Sequence, residues 1–104
     1  MILCDVHVLV NAAIRAAEHH HVCLDALKAA VAAGEVMGSN SVIKAGMVRI
    51  CTHARVFNPP MATDQAFTFL SHLDLTGRAE SVEAGIRHWP LFRQFVTDFR
   101  LSGA

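Results

Sequence analysis

Asp5 is the residue of this chain best placed to do chemistry. It closes the apolar run Met1-Ile2-Leu3-Cys4 and directly precedes a second stretch, Val6-His7-Val8-Leu9-Val10. A carboxylate in apolar surroundings must be compensated by a cation or by a shell of hydrogen-bond donors. A hard divalent ion bound through oxygen is one such chemistry. The position suits it, because a short apolar run reads as a buried strand, and open α/β sheets hold ligands beyond the carboxyl ends of their strands.

Other groupings are less specific. His19-His20-His21 suggests a metal, but consecutive side chains on a helix diverge by about 100° each and cannot chelate one ion, so they read as a solvated helix start. Cys51 and His53 could pair as nucleophile and base, yet no acid is visible to orient the imidazole, and a buried thiol is the plainer reading. Arg49, His53 and Arg55 form a small basic group that suits phosphate oxygens or, equally, the carbonyl end of a helix. Trp89, Phe92, Phe95, Val96 and Phe99 recur at helical spacing, which reads as core or partner interface rather than a base-stacking platform.

These residues need elements to hold them. Ile2 to Asp5 reads as a strand and Val8 to Ala13 as a short helix or turn. From His20 to Ala33, Cys23, Leu27, Ala30 and Val31 recur at helical spacing before Gly34 stops the run. Glu35 to Gly38 reads as a short strand. Ser39, Asn40 or Ser41 then offers an N-cap for a helix with Ile43, Met47 and Ile50 on one face, and Asn58-Pro59-Pro60 ends what precedes it. Thr63 is an N-cap candidate for a helix burying Ala66, Phe67, Leu70 and Leu73, with Gly77 as its stop. Ala79 to Ala84 is a weak strand, and a last amphipathic helix starts at His88, where Pro90 fits only the first turn. Strands separated by helices imply parallel β-α-β units, so the fold class is α/β.

Composition bounds the function. The chain has 104 residues, 53% of them hydrophobic and 17% charged, with nine Lys and Arg against nine Asp and Glu. One domain with one modest core fits this length, and disorder does not fit this composition. Zero formal charge gives no global basic field, so any RNA contact must be local. Cys4, Cys23 and Cys51 lack the spacing of a zinc site and cannot all pair, which suits free thiols in a reducing cytoplasm. The N-terminus has no basic leader and breaks at Asp5, so neither a signal peptide nor a membrane span is expected.

Three segments follow one another across nearly the whole chain: Asp5-Val6-His7-Val8-Leu9-Val10-Asn11-Ala12, then Gly46-Met47-Val48-Arg49-Ile50-Cys51-Thr52-His53-Ala54-Arg55-Val56-Phe57, then Gly85-Ile86-Arg87-His88-Trp89. Together they resemble PIN-domain ribonucleases of the VapC toxin type, whose usual forms are D-V-N-V-L-V, G-F-L-R-I-V-T-H-P-R-V-F and G-x-R-H-W. The resemblance implies a three-layer fold, a parallel sheet flanked by helices, and an RNA-cleaving toxin neutralised by a cognate antitoxin. It also implies three or four clustered carboxylates holding Mg²⁺, which polarises the phosphate and generates hydroxide. Asp5 matches the first acid, as catalytic residue and metal ligand.

The departures from that pattern shape the expectation. His7 stands where relatives have Asn, and Ala54 where they have Pro. The second acid belongs a few residues before Gly46, where the chain reads Ser39-Asn40-Ser41, with the vacancy placed at Ser41. In relatives a stretch like Leu101-Ser102-Gly103-Ala104 is followed by the third acid, a strand and the fourth. Residues 1–104 are therefore expected to form a single partial PIN domain, truncated at its C-terminus. One carboxylate leaves most of a magnesium shell as water. The expected function is a Mg²⁺-dependent toxin ribonuclease acting through Asp5; the alternative is a catalytically inactive remnant that binds antitoxin or itself. In the family's sheet order the first strand is central, so truncation would leave Ile2 to Asp5 as an apolar edge that invites homo-oligomers.

Overall fold

The elements of the computed structural model, which describes residues 1–83, are α1 (Val6–Ala13), α2 (His20–Ala32), β1 (Val36–Ser39), α3 (Ser41–Cys51), α4 (Thr63–Thr76) and β2 (Arg78–Ser81). The expected helix from His88, its aromatic stripe and the Gly85 to Trp89 segment lie outside the described residues.

β1 and β2 pair in parallel, with Met37 level with Ala79. Ile2 adds a parallel bridge to Met37: the Ile2 N–H donates to the Val36 carbonyl and the Gly38 N–H to the Ile2 carbonyl, at 2.8 and 2.7 Å. Successive backbone groups of a strand point to opposite edges, and the Ser39 carbonyl accepts from Val82 on the other side. β1 is therefore central, between the Ile2 segment and β2. The expected strand from Ile2 to Asp5 contracts to this one bridge, because α1 begins at Val6 and takes Asp5 as its N-cap.

Every crossover among the described residues is helical, as parallel pairing requires. α2 stops where it is read to stop, at Gly34 with φ +76°. The Gly34 N–H reaches the Val31 carbonyl and the Glu35 N–H the Ala30 carbonyl, a Schellman closure that needs a left-handed residue. Of the three N-cap candidates for α3, Asn40 does the work: its Oδ1 accepts the Ile43 N–H at 3.0 Å.

One core joins all four helices to the sheet. Leu9, Val10 and Ala12 of α1, Leu27 of α2, Met37 of β1, Met47 and Cys51 of α3, and Ala66 and Leu70 of α4 are buried together. Gly46 lets α1 approach α3, since a Cβ there would stand 3.2 Å from Val6 Cγ2. Two expectations for α4 fail. Ala62, not Thr63, is the N-cap, and the Gln65 side chain accepts the Ala62 N–H at 3.3 Å. Phe67 is 56% exposed, because Ala66, Leu70 and Leu73 already define the inward stripe and Phe67 lies about 100° away from Ala66; Phe69 packs on the core in its place.

Candidate active site

The three parallel segments share a carboxyl edge. Ile2, Met37 and Ala79 stand level; β1 and β2 keep their register to Ser39 and Ser81, with Asn40 and Val82 next, while the Ile2 segment pairs at Ile2 alone and reaches Asp5, the N-cap of α1, three residues later.

Asp5 is half-buried and extended, with φ −72° and ψ 162°, and its side chain makes no capping hydrogen bond to α1. Its carbonyl accepts the Leu9 N–H. Among the described residues no hydrogen bond or ion pair engages its carboxylate, which therefore has open lone pairs at the positive end of α1. Cys4 lies behind it in the core. Burial, then the charges of Cys23 and Asp5, pushes the Cys4 thiol up to about 11.

At the centre of the edge, Asn40 is 3% exposed and fully engaged. While its oxygen caps α3, its Nδ2 donates to the Val82 carbonyl at 2.6 Å. Next to it, Ser41 donates its N–H and its hydroxyl to one oxygen of Glu83, at 3.1 and 2.6 Å. Sequence reasoning missed Glu83, which falls in the weak strand read from Ala79 to Ala84, because no local signal announces its pairing with Ser41. Its carboxylate accepts at Ser41, where the resemblance leads one to expect a second acid.

The other sequence candidates separate. Cys51 is fully buried, and burial pushes its thiol up to about 11, whereas His53 is exposed and its Nδ1 accepts the Arg55 N–H at 3.0 Å. They form no nucleophile–base pair. The histidine triplet is corrected in part: His19 and His21 are exposed, but His20 is 9% exposed, its Nδ1 donating to the Asn11 carbonyl at 2.9 Å. A carbonyl only accepts, so this nitrogen carries the proton. The contact clamps α2 to the end of α1, aided by the His19 N–H on Asn11 Oδ1.

The donors present do not complete a metal shell. Among the described residues no three His, Cys, Asp or Glu side chains stand together closely enough to hold an ion. Asp5 offers one open carboxylate, and Glu83 is held by Ser41.

No family model matches this chain. Curated relatives do: a VapC ribonuclease of Mycobacterium bovis and ribonuclease VapC43 of Mycobacterium tuberculosis are each 30% identical to it over 103 residues, spanning 99% of this chain and 70% of the relative. The chain belongs to the VapC family of PIN-type toxin ribonucleases. In this VapC chain the parallel sheet flanked by helices is the expected architecture, and Asp5 follows the Ile2 bridge on the central β1. A VapC protein is the toxin of a toxin–antitoxin pair, which implies a cognate antitoxin. Among the described residues no helix is long and apolar enough to cross a membrane.

Proposed function

We propose that this chain is a toxin endoribonuclease of the cytoplasm, cleaving RNA phosphodiesters, with Asp5 as a residue of its catalytic site. The observation that supports it most is the Asp5 carboxylate itself: half-buried at the carboxyl edge of a parallel sheet, at a helix N-terminus, with its oxygens unengaged among the described residues. The ion we propose is Mg²⁺, to which Asp5 would give one oxygen. Its remaining protein ligands are not among the described residues, so a second chain or residues beyond Glu83 must supply them. RNA cleavage with Mg²⁺ tests the reading. Wild-type protein should cleave and Asp5→Asn should not; equal cleavage by both would remove Asp5 from the mechanism.

A second reading, an inactive antitoxin-binding protein, rests on a different feature. A groove of about 320 Å³ runs between α2 and α4, floored by Leu24, Leu27, Val31, Phe69 and Leu73, with Lys28 and His72 at its rim. An amphipathic antitoxin segment carrying acidic residues would fit that lining. Co-purification with the antitoxin, lost on Val31→Asp and retained on Asp5→Asn, is the expected result for this reading.

A further inference from the structure

A basic group closes the C-terminal end of α3. Ser41 starts α3 at the carboxyl edge and Cys51 ends it; eight residues of rise put Arg49 about 12 Å along the helix from Ser41, one turn beyond Gly46, where α3 packs on Val6. From Val36 to Thr63 the sequence has Lys44, Arg49 and Arg55 and neither Asp nor Glu. Lys44 is paired with Asp74. Arg49 and Arg55 are exposed and have no ion-pair partner among the described residues.

The loop that carries the group is built rather than slack. The His53 N–H donates to the Ile50 carbonyl, the Val56 and Phe57 N–H groups both donate to the His53 carbonyl, and the Met61 N–H returns to the Cys51 carbonyl. Phe57 and Met61 pack against the core. His53 Nδ1 accepts the Arg55 N–H, so in the neutral ring Nε2 carries the proton and is left to donate. Arg49 in the last turn of α3 and Arg55 in the held turn after it are exposed, and with one imidazole N–H they make a donor set matched to phosphate oxygens. Helix C-terminal cations do stabilise helices, but Arg55 lies four residues beyond Cys51 and outside the reach of that effect.

We propose that Arg49, His53 and Arg55 form an anchoring surface for the phosphate backbone of single-stranded RNA. The assignment deepens the ribonuclease reading and rests on it for the choice of RNA. Such a contact positions the strand without reading its sequence.

The test is binding of a labelled single-stranded RNA of mixed sequence, by fluorescence anisotropy in EDTA so that cleavage is absent, over a salt series. Arg49→Gln with Arg55→Gln should weaken binding about tenfold and flatten the salt slope by about 1.4, the contribution of two phosphates. R49K with R55K should restore the slope. Unchanged affinity and slope in the glutamine variant would overturn the proposal, as would absence of RNA binding by the wild type. Equal loss of binding to phosphatidylserine vesicles would overturn the choice of RNA. Asp5→Asn should bind as wild type does while losing cleavage in Mg²⁺, so a failure of the anchor and a failure of the catalytic reading give different results. Thermal unfolding by circular dichroism confirms that each variant is folded.

Discussion

Ser41 donates its backbone N–H and its hydroxyl to the same carboxylate oxygen of Glu83, fastening the end of β2 to the first turn of α3. Beside it Asn40 holds the Val82 carbonyl, so two adjacent residues stitch the carboxyl edge. The two stitches differ in burial, and that decides which matters more. Asn40→Ala removes an N-cap, worth about 1 kcal/mol, and orphans a buried carbonyl, worth about 1–3 kcal/mol, so a loss of about 2–4 kcal/mol is expected in urea unfolding. Ser41→Ala acts on an exposed pair and should cost about 0.5–1 kcal/mol. A larger effect at Ser41 than at Asn40 would contradict this order.

Asp5→Asn should leave stability within about 0.5 kcal/mol of wild type, because the carboxylate makes no bond to cap α1 and an amide oxygen serves as well at that position. Its effect should fall on RNA cleavage alone. Parallel unfolding and cleavage assays separate the two, and joint loss of fold and activity would make Asp5 structural.

Cys4 and Cys51 should resist alkylation in the folded protein. With both thiols pushed up to about 11 from an ordinary 9.0, little thiolate exists at pH 8, and iodoacetamide should label Cys23, which is only half-buried, first. The same shifts set a pH dependence. The folded state keeps these protons where the unfolded state releases them, so their contribution is full below pH 9 and is lost as pH rises towards 11. Cys4→Ala with Cys51→Ala should remove that decline, measured as urea midpoints across the alkaline range.

The Ile2 segment predicts self-association. Ile2 directs its N–H and carbonyl to β1, so those of Leu3 point to the outer edge, which no strand covers among the described residues. A second copy pairing there would give a dimer. Sedimentation should show it, and Leu3→Pro, which deletes an outward N–H while sparing the β1 pairing, should shift the chain to monomer. A wild-type monomer at all concentrations would reject the pairing.

What was legible in the sequence was local. The stop at Gly34 follows from a left-handed backbone angle that only glycine adopts freely, and Asn40 was among three residues able to cap α3 because a short polar side chain can reach the next turn. Asp5 stood out as a carboxylate in an apolar segment, and the resemblance carried by the segments from Asp5 and Gly46 agrees with the VapC relatives. Phe67 was misjudged because two neighbouring stripes of α4 are equally apolar, and only packing chooses between them. His20 was misjudged because its partner, the Asn11 carbonyl, belongs to another helix.

The amino-acid sequence by itself determined the alternation of helix and strand, the family, and the residue at the head of its first motif, since these depend on spacing along the chain. Tertiary structure alone decided that Asn40 and Ser41 hold Val82 and Glu83, that Asp5 stays open among the described residues, and that Lys44 is paired with Asp74 while Arg49 and Arg55 stand exposed. Those bonds join residues up to 42 positions apart in the chain, and such contacts are set by strand register and helix packing, which no local pattern encodes.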